Sequence, residues 1–310
     1  MNNASEVPAS GAPHEPERTV SKPIVLAALA ISLVIYAALR PATIRAAWEE
    51  FERVVLLKSE PLPASPPRMS EHLMEELANL PPQKQAEMLV QLSINHYAGA
   101  IELLDERVNG WRGQLQLTPE FNGLLLTAIN SNDLRVRAAT LEVYLAAYNI
   151  EKTENAASQL IYRIQDEPGA RPWALWMLGA LGNRGVMPER VFSTLLDHVK
   201  DPSEETRVWA IEGLALLGSE NTIRPLLDTF RGDPSMHVRE RAACSLAQSG
   251  MLTKTLRMTA VPEMINMAED PSVETMTRTW VYQALRDITG ASVANDPAAW
   301  RRWWDENGRR

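Results

Sequence analysis

Cysteine is almost absent from this chain. Cys244 is the only one in 310 residues, so no internal disulfide can form and no pair of thiols exists to hold zinc or run redox exchange. It follows Ala242-Ala243 in a helical pattern with no neighbouring His, which suits a small buried filler better than a nucleophile. Phosphate-loop and hydrolase-elbow patterns are missing as well: no G-x-x-x-x-G-K-[ST], G-x-G-x-x-G or G-x-S-x-G occurs. The five histidines, His14, His72, His96, His198 and His237, are scattered. His72 lies a helical turn from Glu75 and Glu76, and His237 from Glu240, but no third ligand completes a metal site, so neither metal nor cofactor is expected. Positive charge is also short. With 31 Lys and Arg against 39 Asp and Glu, a net charge of −8 gives no long-range pull on phosphate backbones and excludes a non-specific nucleic-acid partner.

What the N-terminal part does contain is one long apolar run. Residues 1–22 mix three Glu with Arg18, Lys22 and several prolines and read as a disordered tail. From Ile24 to Leu39 the chain runs IVLAALAISLVIYAAL without a charge, about 24 Å of helix against a hydrocarbon core of roughly 30 Å. A cleaved signal would begin with a short basic segment and end at a small-x-small site, whereas an acid-containing tail precedes this run and Arg40-Pro41 follows it. A core helix apolar on every side would have nothing here to pack against. The expectation is therefore a single-pass transmembrane helix over 23–40, in contact with the bilayer through residues 24–39. Two Lys and Arg before the run and four after it place the larger part in the cytoplasm. Residues 41–58 have amphipathic helical spacing, with Trp48 and Phe51 at the lipid–water boundary. Four prolines within 59–68 make an extended spacer of about 30 Å.

From residue 70 onward nothing reads as strand, because apolar residues recur at three- and four-residue intervals. Residues 69–130 are helical without a visible register. Beyond them Asp201-Pro202-Ser203, Asp233-Pro234-Ser235 and Asp270-Pro271-Ser272 repeat, each placing a capping Asp and an N1 proline at a helix start. Arginines extend the series to five: Arg137, Arg171, Arg207, Arg239 and Arg278, separated by 34, 36, 32 and 39 residues. Three positions after each stand Thr140, Ala174, Ala210, Ala242 and Val281, and seven after stand Tyr144, Leu178, Leu214, Leu246 and Leu285. Small residues at three, large ones at seven and Gly182, Gly218 and Gly250 at eleven describe one helix with one buried stripe and a left-handed stop. A second helix per period is marked by Pro188, Pro225 and Pro262, each near its start.

The pattern D-P-S-x-x-[VT]-R-x-x-A resembles the HEAT-repeat family, particularly its bacterial branch, over residues 131–295. The expected fold is all-α: an α-solenoid of stacked antiparallel helix pairs in a HEAT/ARM-like superhelix, preceded by the transmembrane helix. The resemblance implies arginine-bearing helices on the concave side. It also implies a ladder between units, built from Asp201, Asp233 and Asp270 with Arg137, Arg171, Arg207, Arg239 and Arg278. Residues 296–310 are similar to the end segment of such proteins, and Trp300, Trp303 and Trp304 fall on one face of a short capping helix begun by Asp296 and stopped at Gly308. The last unit delays its arginine by two residues, so an irregular helix start is expected there.

One column is chemically distinctive. Two positions after the repeat arginines come Ala139, Trp173, Trp209, Arg241 and Trp280, with Trp176 a turn further on. Such indoles are either wedged between units or partly open as an anchor for a partner peptide. The functional expectation is a membrane-anchored, non-catalytic scaffold for protein partners. The alternative is a HEAT-like enzyme of the DNA glycosylase or bilin lyase type, which the acidic balance and the lack of a catalytic set disfavour.

Overall fold

Local hydrogen-bond chemistry sets most of the helix starts. Ser70, Thr118, Thr153, Ser203, Ser235 and Thr253 each accept a bond from a backbone N–H three residues on, which satisfies one of the four amides a helix start leaves free. In this computed structural model residues 65–308 are described, and they lie within one unit, Leu62–Arg310. They form fourteen α-helices and, apart from a single parallel bridge between Arg68 and Ala98, no strand. The class is all-α.

The Asp-Pro-Ser signature works differently from the expectation. The serine is the N-cap in two copies, Ser203 and Ser235, and the aspartate, two residues earlier, accepts the serine N–H at 2.8 Å in all three. The proline therefore sits in a turn outside the helix, because it lies between the two capping residues. Replacing Ser235 with Ala is expected to cost about 1 kcal/mol in a denaturant titration, a loss that Ser272→Ala does not share because Ser272 caps no helix.

The first part comprises α1 (Glu71–Asn79), α2 (Pro82–Ile94), α3 (Ala100–Arg107) and α4 (Pro119–Ile129). With α5 (Leu134–Ala147) it encloses a core that includes Leu89, Trp111, Phe121, Leu125 and Val143. Then come α6 (Glu154–Asp166), α7 (Arg171–Asn183), α8 (Pro188–Asp197), α9 (Glu204–Leu217), α10 (Ile223–Gly232), α11 (Met236–Ala247), α12 (Lys254–Glu269), α13 (Thr275–Thr289) and α14 (Pro297–Asn307). The arginine-bearing helices stack in one row, α5 on α7, α7 on α9, α9 on α11 and α11 on α13, and each packs on the helix preceding it in the chain. Leu178, Leu214, Leu246 and Leu285 are fully buried in one continuous cluster along this row, as repeats that cannot bury an apolar face alone require. Trp300 is fully buried in the same cluster, Trp303 and Trp304 pack against it, and α14 lies on α12.

Two positions depart from the repeat reading. Pro262 is inside α12 rather than at its start, because Thr253 caps that helix nine residues earlier. Gly182 lies within α7, which continues to Asn183, while Gly218 and Gly250 do take the left-handed conformation.

The expected membrane localisation is corrected. No helix among the described residues is long and apolar enough to cross a membrane. The tail 1–22, the apolar run 23–40, the segment 41–58 and the linker as far as residue 64 lie outside the described residues. Residues 65–68, the end of that linker, include an ordered contact: Ala98 N–H donates to the Pro67 carbonyl at 2.8 Å.

Candidate functional site

Each repeat arginine first satisfies its own unit. Arg137, Arg207 and Arg239 donate to the carbonyls of Ser131, Asp201 and Asp233, six residues back. Arg171 reaches seven residues back to Ile164, and Arg278, with its two-residue delay, reaches eight back to Asp270. The remaining guanidinium nitrogens turn to the next unit. Arg171 lies 3.6 Å from Asp201, and Arg207 is bidentate on Asp233 at 2.8 and 3.1 Å with both side chains buried. The Asp233 carboxylate raises the Arg207 pKa above its ordinary value. The next rung differs: Arg239 pairs with Glu274, and Asp270 pairs instead with Arg231. The two extra residues before Arg278 displace the α13 start and carry Asp270 out of reach.

Arg137 makes no rung at all. Its guanidinium crosses to the carbonyls of Gln248 and Gly250, at 2.6 and 2.7 Å. Arg257, from α12, donates to the carbonyls of Ser245, Leu246, Ser249 and Leu252 around the same helix end. Two buried arginines thus hold the C-terminus of α11, where a helix leaves carbonyls unsatisfied and where positive charge is favoured by the helix dipole. Burial lowers both, and with Arg137 nearby Arg257 falls to about 10, still charged at neutral pH.

This crossing decides which surface is available. Leu141 of α5, Ala180 of α7, Leu216 of α9 and Met251 beyond α11 form one buried cluster. The side of the row facing away from α6, α8 and α10 is filled there, whereas an open concave wall was expected. The burial pattern agrees: ten of fourteen residues of α5 and nine of fourteen of α9 are buried, against two of ten in α8. Approach is closest through glycine. A Cβ on Gly179 would come within 2.7 Å of the Gly213 Cα and nearer still to its carbonyl oxygen. These two glycines were not singled out in the sequence, although an isolated Gly inside a helical pattern is itself a mark of close packing.

The tryptophan column is engaged inside the molecule. Trp173 meets Tyr148 edge-on at 5.3 Å, with the Arg163 guanidinium 5.6 Å from its ring centre. Trp176 meets Tyr144 at 5.0 Å. Trp209 and Trp280 are partly buried against the main core, Ala139 is buried, and Arg241 forms an ion pair with Glu212. Burial raises the pKa of Cys244, which removes thiolate character at neutral pH.

A large opening lies on the opposite face. Helix α8 packs on α7 and α9, and no comparable packing joins it to α10, so a groove of about 1030 Å³ runs between α8 and α10. Phe192, Leu196 and Val199 supply its apolar wall, Glu220, Arg224 and Asp228 its charged rim, and the buried Arg207–Asp233 pair lies at its floor. Leu196 is 39% exposed. No group of His, Cys, Asp and Glu among the described residues is placed to hold a metal. An apolar wall beside mixed charges is suited to holding a helix or an extended peptide.

A family model described as HEAT repeats matches residues 192–258. No curated protein matches the chain. The matched stretch begins at Phe192 in the groove wall and ends just past Arg257, so it contains the groove residues named above together with the intact rung.

Proposed function

For this protein of the HEAT-repeat family, we propose a non-catalytic scaffold that holds a protein partner in the groove between α8 and α10. HEAT repeats are in general protein-interaction scaffolds. The observation that carries the reading is the pairing of a filled inner side with an open outer groove that keeps Leu196 exposed. Apolar surface left uncovered beside charged residues is the composition of an interface centre with its rim. On this reading the tryptophan column is packing, since its rings already have partners within the fold.

The test uses the full-length chain with a photocrosslinking amino acid at Arg224 on the groove rim or at Tyr162 on α6. The expected result is a discrete crosslinked protein species from position 224, lost when Leu196→Asp is added and circular dichroism is unchanged. Equal products from both positions, or persistence through Leu196→Asp, would count against the groove.

A further inference from the structure

The interrupted ladder leaves an identifiable gap. Between α8–α9 and α10–α11 the rung is complete, with Asp233 filling the space against Arg207 and itself buried. In the next interval the equivalent carboxylate is missing, because Asp270 has turned outward to Arg231 and Ser272. What lies there is a cavity of about 360 Å³ lined by Arg239, Thr277, Ser272, Val273 and Glu274 from one side and Asp228, Arg231 and Gly232 from the other.

Three donors in and beside it have no partner. Thr277 is 1% exposed and its hydroxyl is unbonded, although it lines the cavity. Arg239 Nε is buried and unbonded in the same wall. Arg278 Nε, whose guanidinium donates to the Val273 carbonyl, is also unbonded. A buried donor without an acceptor costs about 1–3 kcal/mol, so three in one place require an account. The first turn of α13 adds to them, since its amides receive no side-chain cap and carry the positive end of the helix dipole.

The acids nearby are mostly committed. Arg224 holds Asp228 at 2.9 Å, and Arg231 holds Glu263 and Asp270. With Asp228 held by Arg224, Glu274 is the other acid that lines the gap. It is 54% exposed and makes a single ion pair with Arg239, a contact that solvent screening makes weak and easily displaced.

We propose that this gap is a binding site for an external carboxylate, which takes the position that Asp233 occupies one unit earlier, with Glu274 as its internal competitor. The inference stands independently of the groove between α8 and α10, because it concerns a different interval and is read by a small probe. The probe is sodium acetate, titrated against the full-length chain by calorimetry and thermal shift at constant ionic strength in chloride, with inorganic phosphate as a second arm. Glu274→Gln, which removes the competitor, is expected to tighten acetate binding about tenfold, and Thr277→Val in that background to weaken it about tenfold, the worth of one hydrogen bond to a charged group. Acetate binding that ignores Glu274→Gln, or that survives Thr277→Val unchanged, overturns the proposal. So does binding of phosphate without acetate. Should Thr277→Val fail to fold, the response to Glu274→Gln alone decides.

Discussion

Gly179→Ala is expected to lower stability by about 3 kcal/mol or more, at the upper end of what overpacking costs. In an ordinary helix interior the same change would stabilise by up to about 1 kcal/mol, since Ala loses less backbone entropy than Gly and forms helix better. The sign reverses here because the new methyl would meet the backbone of Gly213, and backbone cannot swing aside as a side-chain end can. Helices α7 and α9 would have to separate, loosening the cluster that contains Leu178 and Leu214. For a unit of this size the loss corresponds to a fall in melting temperature of roughly 6–12 °C. Gly123→Ala is the control. Gly123 lies within α4, is exposed, and its added Cβ would meet nothing within 4 Å. Denaturant titration of the two variants should therefore give changes of opposite sign, and equal small changes would mean that α7 and α9 do not approach as closely as described.

Arg257→Met should be comparably damaging, with a loss of about 5 kcal/mol. Methionine replaces much of the stem, so the change isolates the guanidinium head. Removing the head leaves three buried carbonyls, those of Ser245, Leu246 and Leu252, and the half-buried one of Ser249 without their donor, at about 1–3 kcal/mol for each buried one before relaxation or water entry offsets part of it. The damage should be local first. Amide exchange should accelerate at residues 245–252 before it does in α7 or α9, because the end of α11 can open without unstacking the row. Arg137 acts on the same helix end with the same sign of charge. Each single removal also relieves the repulsion between the two, a gain the double variant can make only once, so the double variant should lose more than the two single losses combined. Strict additivity would show that the two guanidinium groups do not share one electrostatic site.

The all-α class, the repeat and its buried stripe are legible in the amino acids themselves. Spacing of three and four encodes a helix face, and a turn of Asp, Pro and Ser encodes where the next helix begins; both are local effects that need no partner. The fully buried Leu178, Leu214 and Leu246 follow directly from that periodicity. The delayed Arg278 was visible too, and it accounts for the interrupted rung.

Other features depended on how far the row bends, which no single period records. Arg137 looks in sequence like every other repeat arginine, yet it caps a helix end more than a hundred residues away. That contact closes the side expected to be open and occupies the surface near the tryptophans with internal contacts, while the groove between α8 and α10 lies on the other face. Local propensity acts over one helix turn, whereas curvature is set by the sum of small offsets at successive glycine and alanine contacts. The hairpins were therefore determined by the sequence alone, and the usable face only by the way they close on one another.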